Sequence, residues 1–203
     1  MSTTSQSSSR NATRRLIKEL EIWNNVESKE EKGIERLGPV NEGELLAWEA
    51  VINGRGVGAG YDGSCLSPVA FLISLLFFFF LLLESRKTDF FHCVTEGRWL
   101  LQITIPAQYP LSPPAIRFAT PIVHANVALR TGEICLDLLK DAWTPAYSVL
   151  ECVRAVRMLL SCPGIDSPLN VDVAALLREG DALGARRLVE FWVRDEGGRY
   201  NGP

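Results

Sequence analysis

The stretch Pro121–Leu139, PIVHANVALRTGEICLDLL, sets an imidazole, a carboxamide and a thiol close together in the chain: His124, Asn126 and Cys135. A cysteine suits acyl transfer through a thioester, because the thiolate attacks a carbonyl readily and also leaves readily. An asparagine N–H held nearby can stabilise the oxyanion that develops on that carbonyl. Each residue also has an ordinary reading. Cys135 sits between Ile134 and Leu136, where a lone thiol is more often packed into a core. A single histidine such as His124 is more often a hydrogen-bonded structural residue than a base. No neighbour is an obvious strong general base, so thioester chemistry here would rest on positioning and desolvation of the nucleophile.

The elements that must hold these residues follow from periodicity. Leu16, Leu20 and Trp23 recur at helical spacing within residues 14–24, with Arg14, Arg15, Lys18 and Glu19 on the other faces, which predicts an amphipathic first helix. A charged loop is expected over Glu27–Arg36 and a strand over Leu45–Ile52. Trp99, Leu101, Ile103 and Ile105 alternate with Gln102 and Thr104, the pattern of a half-buried strand. The prolines of Tyr109-Pro-Leu-Ser-Pro-Pro114 exclude helix and central strand, and Ala115–Phe118 resumes as a short strand. Ser148 with Glu151 forms a capping box ahead of an apolar helical stripe that Cys162-Pro163-Gly164 stops. Asn170 caps a helix over Val171–Arg178, Gly180 ends it, and Asp181 starts the last helix. Helix, then strands, then helices indicates an α+β domain with an antiparallel sheet.

Bulk properties narrow the function. At 203 residues and 47% apolar, the chain can build one sizeable core. A net charge of −3 gives no electrostatic reason for a nucleic-acid partner. The five cysteines form no CxxC pair and read as reduced thiols of an intracellular protein. A zinc site at His92 and Cys93 lacks matching ligands, so no metal is expected. The polar, Ser-rich residues 1–10 read as a disordered tail, with residues 11–203 forming one domain.

Five ordered motifs decide between the ordinary and the chemical readings: YPLSPP at 109–114, HAN at 124–126, TGEICLDLL at 131–139, AWTPA at 142–146 and PGIDSPLN at 163–170. Together with RRLIKELEIW near the start, this set resembles the ubiquitin-conjugating enzymes over residues 11–62 and 96–195. The resemblance implies that family's fold, with an N-terminal helix, a four-stranded antiparallel meander and C-terminal helices. It implies that Cys135 carries ubiquitin as a thioester and that Asn126 stabilises the oxyanion or orders its loop. His124 would hold the same loop, and Ser167 would stand at the gate beside the cysteine. Leu111, Ser112, Trp143, Pro145 and Ala146 match the surface read by RING-type ubiquitin ligases, while Arg14, Arg15 and Lys18 fall where the first helix meets the ubiquitin-activating enzyme and ligases. Exposed helix cations are otherwise commonly a solvated face, and Leu111 an ordinary exposed apolar residue. No bound cofactor is implied, since ATP is consumed by the activating enzyme.

Two departures stand out. The family's usual proline between His and Asn is Ala125, which removes a fixed φ from the loop. The interval from Asn126 to Cys135 is one residue longer than usual, and it resembles the peroxisomal branch of the family in fungi. That branch implies ubiquitination of a cycling import receptor and a membrane-anchored peroxin as tether, at the cytosolic face of the peroxisomal membrane. The rival readings are a catalytically inert scaffold of the same fold and conjugation of a ubiquitin-like modifier.

Residues 64–95 interrupt the resemblance. The uncharged run over 63–83, with Phe77–Phe80 inside it, is near the ~20 residues that span a bilayer. A single span would put two neighbouring strands of one sheet on opposite sides of the membrane, and a re-entrant hairpin this short could not satisfy its backbone. The favoured reading is translation of a retained intron. Pyrimidine-rich DNA encodes Phe, Leu and Ser, and Gly63 and Thr95-Glu96 can encode GT and AG borders. Excision would rejoin Tyr61-Asp62 to Glu96-Gly97 in frame.

Overall fold

The computed structural model describes residues 2–27, 31–41, 43–62, 96–194 and 196–203. The expectations for 64–95, including the retained intron, the span over 63–83 and the excluded zinc pair His92 and Cys93, lie outside these residues.

Helix α1, Ser2–Ile22, opens the chain and passes into a π turn over Trp23–Glu27. Its inner face is the stripe predicted from spacing: Ala12 and Leu16 are fully buried, Trp23 is buried and Leu20 partly so. The helix starts ahead of the expected boundary. Residues 2–10, expected as tail, continue it, because adding a turn to an existing helix avoids the cost of a new nucleus.

Four strands follow: β1 Ile34–Pro39, β2 Ala47–Asn53, β3 Arg98–Thr104 and β4 Ala115–Phe118. They pair antiparallel in sequence order as one meander. Trp48 faces Ile103 and Ile52 faces Trp99 across β2 and β3, and Leu101 faces Phe118 across β3 and β4. The alternation read in β3 holds, since Trp99, Leu101, Ile103 and Ile105 are all buried. On the other face Arg117 donates to Gln102 (2.7 and 3.1 Å) and Arg36 pairs with Glu49 at 3.2 Å. β1 corrects the expected charged loop over Glu27–Arg36. Ile34 and Leu37 are buried against β2, and the register shift between Ile34 and Arg36 breaks the period-two pattern that would have announced a strand.

The second half supplies α2 Val149–Ser161, α3 Val171–Arg178 and α4 Ala182–Arg194. Ser148 and Glu151 form the reciprocal capping box, and the Asn170 side chain accepts from the Val173 N–H at 3.3 Å. Such caps stabilise a helix by about 1 kcal/mol each. Val149, Cys152, Val153, Val156 and Leu160 join the inner face of the sheet in one core. Among the described residues no helix is long and apolar enough to cross a membrane.

Backbone bonds between described residues close the β2–β3 hairpin on either side of the interruption. The Gly97 N–H donates to the Tyr61 carbonyl at 3.0 Å, and the Gly54 N–H donates to Gly97 at 2.8 Å. Both ends of the interruption therefore emerge side by side at the mouth of the β2–β3 hairpin.

Candidate functional site

Cys135 lies on one arm of a small irregular hairpin. Its N–H donates to the Asn126 carbonyl at 2.9 Å, Val127 bridges Ile134, and the Ala128 N–H donates to Glu133 at 2.9 Å. Gly132 makes the turn possible. Its φ is +71°, and a Cβ there would stand 1.8 Å from the Phe118 carbonyl oxygen, so no other residue fits. The hairpin buries Val127 and Ile134, leaves Cys135 half-exposed, and runs on into a 3-10 turn over Asp137–Leu139. A thiol at this point is tethered by its backbone and open to a large acyl donor.

Asn126 is buried, and both ends of its carboxamide are engaged. Nδ2 donates to the Gly164 carbonyl and Oδ1 accepts from the Gly164 N–H, each at 2.8 Å. The side chain thus joins the Cys135 hairpin to the 163–170 loop. Of its two expected roles, loop ordering is the one these contacts perform. Ser167 stands exposed on that loop. The carbonyl of Ala125, itself fully buried, accepts from Leu169 (2.8 Å) and Asn170 (3.0 Å), so the loop is fastened from both sides without a proline.

His124 is buried, with Nδ1 accepting from the Asn126 N–H at 3.1 Å. Burial pushes its pKa down to about 4, with the Leu159 backbone acting in the opposite direction, and its Nε2 is enclosed without a hydrogen-bond partner among the described residues. The ring packs 6.3 Å from Tyr61, whose hydroxyl donates to the Val123 carbonyl at 2.6 Å. The imidazole spends Nδ1 on the N–H of its own loop.

The remaining expected residues gather into a second region. Trp143 donates through Nε1 to the Pro110 carbonyl at 2.9 Å, and its ring lies 6.0 Å from Tyr109 and 6.1 Å from Tyr147. This ties the 109–112 and 143–146 loops together. Leu111 is 75% exposed at their junction, Pro145 and Ala146 are exposed, and Ser112 is half-buried. Arg14 and Lys18 are exposed on α1. Arg15 is not a free cation. It pairs with Glu19 at 2.5 Å, donates to the Tyr147 carbonyl at 3.2 Å and reaches that of Ala146 at 3.5 Å. The two regions share backbone, since Lys140 and Ala142 donate to Asp137 in the turn after Cys135.

Glu19, Gly164 and Tyr61 were given no role in the site from the sequence. Glu19 carried a faint signal: it sits between the core positions Leu16 and Leu20, at the edge of the buried stripe, four residues after a cation. The contact of Gly164 with Asn126 spans 38 residues and leaves no local trace.

Comparison with known proteins agrees with this geometry. The ubiquitin-conjugating enzyme family model matches residues 85–191. The chain is 60% identical over 202 residues to ubiquitin-conjugating enzyme E2 PEX4 of Gibberella zeae, covering 100% of this chain and 98% of that protein. Among solved structures it is similar to the H. polymorpha ubiquitin-conjugating enzyme Pex4p, crystallised with the soluble domain of Pex22p. That likeness has a TM-score of 0.63 and 28% identity, and covers 90% of this chain and 96% of that one. A Plasmodium yoelii structure described as a ubiquitin-conjugating enzyme matches with TM-score 0.66 and 28% identity, over 95% and 97% of the two chains. A helix–meander–helix fold, a tethered thiol on a braced hairpin and a family match over more than half the chain lead to one assignment: this chain belongs to the ubiquitin-conjugating enzyme family.

Proposed function

We propose that Cys135 is the residue on which this enzyme carries ubiquitin, and that it works at the cytosolic face of the peroxisomal membrane on the cycling import receptor. The observation that supports the thiol assignment is its setting. Cys135 is half-exposed, with its backbone hydrogen-bonded to Asn126, and the Asn126 side chain is clasped in turn by Gly164. Full-length similarity to a fungal E2 PEX4 supports the peroxisomal assignment.

In the first step the Cys135 thiolate attacks the ubiquitin carbonyl of the activating enzyme's thioester. A new C–S bond forms and the activating enzyme's thiol leaves. In the second step an amine or thiol of the target attacks the same carbonyl and Cys135 departs as thiolate. ATP is spent by the activating enzyme, and no cofactor is needed on this chain. Leu111, Ser112, Trp143, Pro145 and Ala146 form the ligase-facing surface, with Arg14, Arg15 and Lys18 beside it on α1. A membrane-anchored peroxin serves as tether, a reading supported by the solved complex of H. polymorpha Pex4p with Pex22p.

The test is a charging reaction with ubiquitin, activating enzyme and ATP. The expected result is a ubiquitin adduct that thiol reductant removes. Cys135→Ala should abolish it, and Cys135→Ser should turn it into a reductant-resistant oxyester. An adduct that survives Cys135→Ala would assign the nucleophile elsewhere. No adduct from folded protein would mean an inert scaffold or a different modifier.

A further inference from the structure

A single carboxylate outside the thiol site joins α1 to both loops of the second region. The Glu19 side chain is only 8% exposed. Its Oε1 accepts from Arg15 Nε at 2.5 Å and from the Tyr109 hydroxyl at 2.6 Å. Its Oε2 accepts from the Val149 N–H at 2.9 Å. That N–H belongs to the first turn of α2, where backbone donors lack helical partners and favour an anion. Arg15 carries the connection onward to the carbonyls of Ala146 and Tyr147, and Tyr109 carries it to Trp143. Burial, and then Glu19 itself, push the Tyr109 hydroxyl upward, so it remains a donor throughout the working pH range. The hydrogen bond from Arg15 to Glu19 likewise raises the Arg15 guanidinium.

We propose that Glu19 is a positioning residue for ligase-stimulated transfer, holding the 109–112 and 143–147 loops in the one arrangement that presents Leu111 and Pro145 together. The proposal rests on the reading of that surface as the ligase face. Hydrogen bonds to a carboxylate are the strong class, and three converge here, one from Arg15 a turn earlier on α1 and two from segments distant in sequence. Each described partner of Glu19 lies on α1, in the 109 loop or at the start of α2. None lies among residues 124–126, 134–135 or 163–170, so the clamp acts on presentation and not on the thiol.

Glu19→Gln keeps the shape but removes one acceptor, turning an N–H₂ toward another donor. The experiment uses the full chain pre-charged with ubiquitin and measures single-turnover discharge to free lysine. It is run alone and with a RING domain chosen because it accelerates discharge from the wild-type protein. Glu19→Gln should leave unassisted discharge within about twofold and cut RING stimulation about tenfold, the scale set by losing a charged hydrogen bond. Tyr109→Phe, which deletes one hydroxyl and keeps the buried ring, should cut stimulation by a smaller factor. Hydrogen exchange should quicken at 109–112 and 143–147 in both variants while 124–128 and 133–135 stay protected. Leu111→Ala separates the two readings. If it abolishes stimulation while Glu19→Gln and Tyr109→Phe retain it, the clamp is wrong and the ligase face stands. If Leu111→Ala is also fully stimulated, the ligase face itself is wrong. Equal loss of unassisted and stimulated rates in Glu19→Gln would make Glu19 a general stability residue and overturn the proposal.

Discussion

Asn126 and Gly164 exchange two hydrogen bonds of 2.8 Å each, one in each direction, across 38 residues of sequence. Gly164 takes one of the two Nδ2 hydrogens and one lone pair of Oδ1, and the pair serves to hold the Cys135 hairpin against the 163–170 loop. Asn126→Ala leaves both Gly164 groups without that partner. We expect a loss of about 1–3 kcal/mol, read from the urea midpoint, together with slowed discharge. Gly164→Pro removes the N–H accepted by Oδ1, along with fixing φ at 164, and should reproduce part of both defects with the carboxamide intact. Full activity in Gly164→Pro beside a dead Asn126→Ala would argue for direct oxyanion contact instead.

His124 predicts an acid-sensitive stability. Its folded pKa of about 4 lies below the ordinary histidine value, so between the two the unfolded chain binds more protons. The contribution is present above about pH 6.5 and is lost as pH falls through the window toward 4, by about 3 kcal/mol in all. Urea unfolding at pH 7.5, 6 and 4.5 should show this slope. His124→Leu should flatten it, while lowering stability at pH 7.5 because the Asn126 N–H loses its acceptor.

Most elements were legible because their signals are local. The alternation of Trp99 to Ile105, the Ser148–Glu151 box and the Asn170 cap each lie within a few residues, and each appears as expected. β1 was hidden because its bulge shifts Ile34 out of phase with Leu37 and because its surroundings are charged. The site divides in the same way. Cys135, Asn126, His124 and the Trp143 loop were legible as ordered motifs. Apart from Arg15 one turn back, Glu19 and Gly164 act through partners 90, 130 and 38 residues away, and no short window contains those pairs.

The cysteines should differ sharply in reactivity. Cys152 is buried in α2, and burial pushes its thiol up to about 12, while Cys135 is half-exposed and Cys162 exposed. The thiolate is the reacting species, so iodoacetamide at pH 8 should label Cys162 and Cys135 in the folded protein and spare Cys152. Peptide mapping by mass spectrometry checks the order, and Cys152 should become reactive only in denaturant. Charging with ubiquitin should shield Cys135 and leave Cys162 labelled.

The β2–β3 hairpin makes the strongest prediction about the interrupting segment. Tyr61 and Gly97 are hydrogen-bonded neighbours, yet 35 residues, 62 through 96, connect them in sequence. Register is already set by Ile52 facing Trp99 and Asn53 facing Arg98, and closure by Gly54 bonding to Gly97. Deleting 64–95 leaves Asp62, Gly63 and Glu96 as the link, enough for a tight turn between adjacent strand ends. On the logarithmic scaling of loop closure a shorter connection costs less entropy to close. The deleted protein should therefore unfold at higher urea than the full chain and charge with ubiquitin at an undiminished rate. If it failed to fold, the segment would be an integral part of the domain, and the retained-intron reading would fall with it.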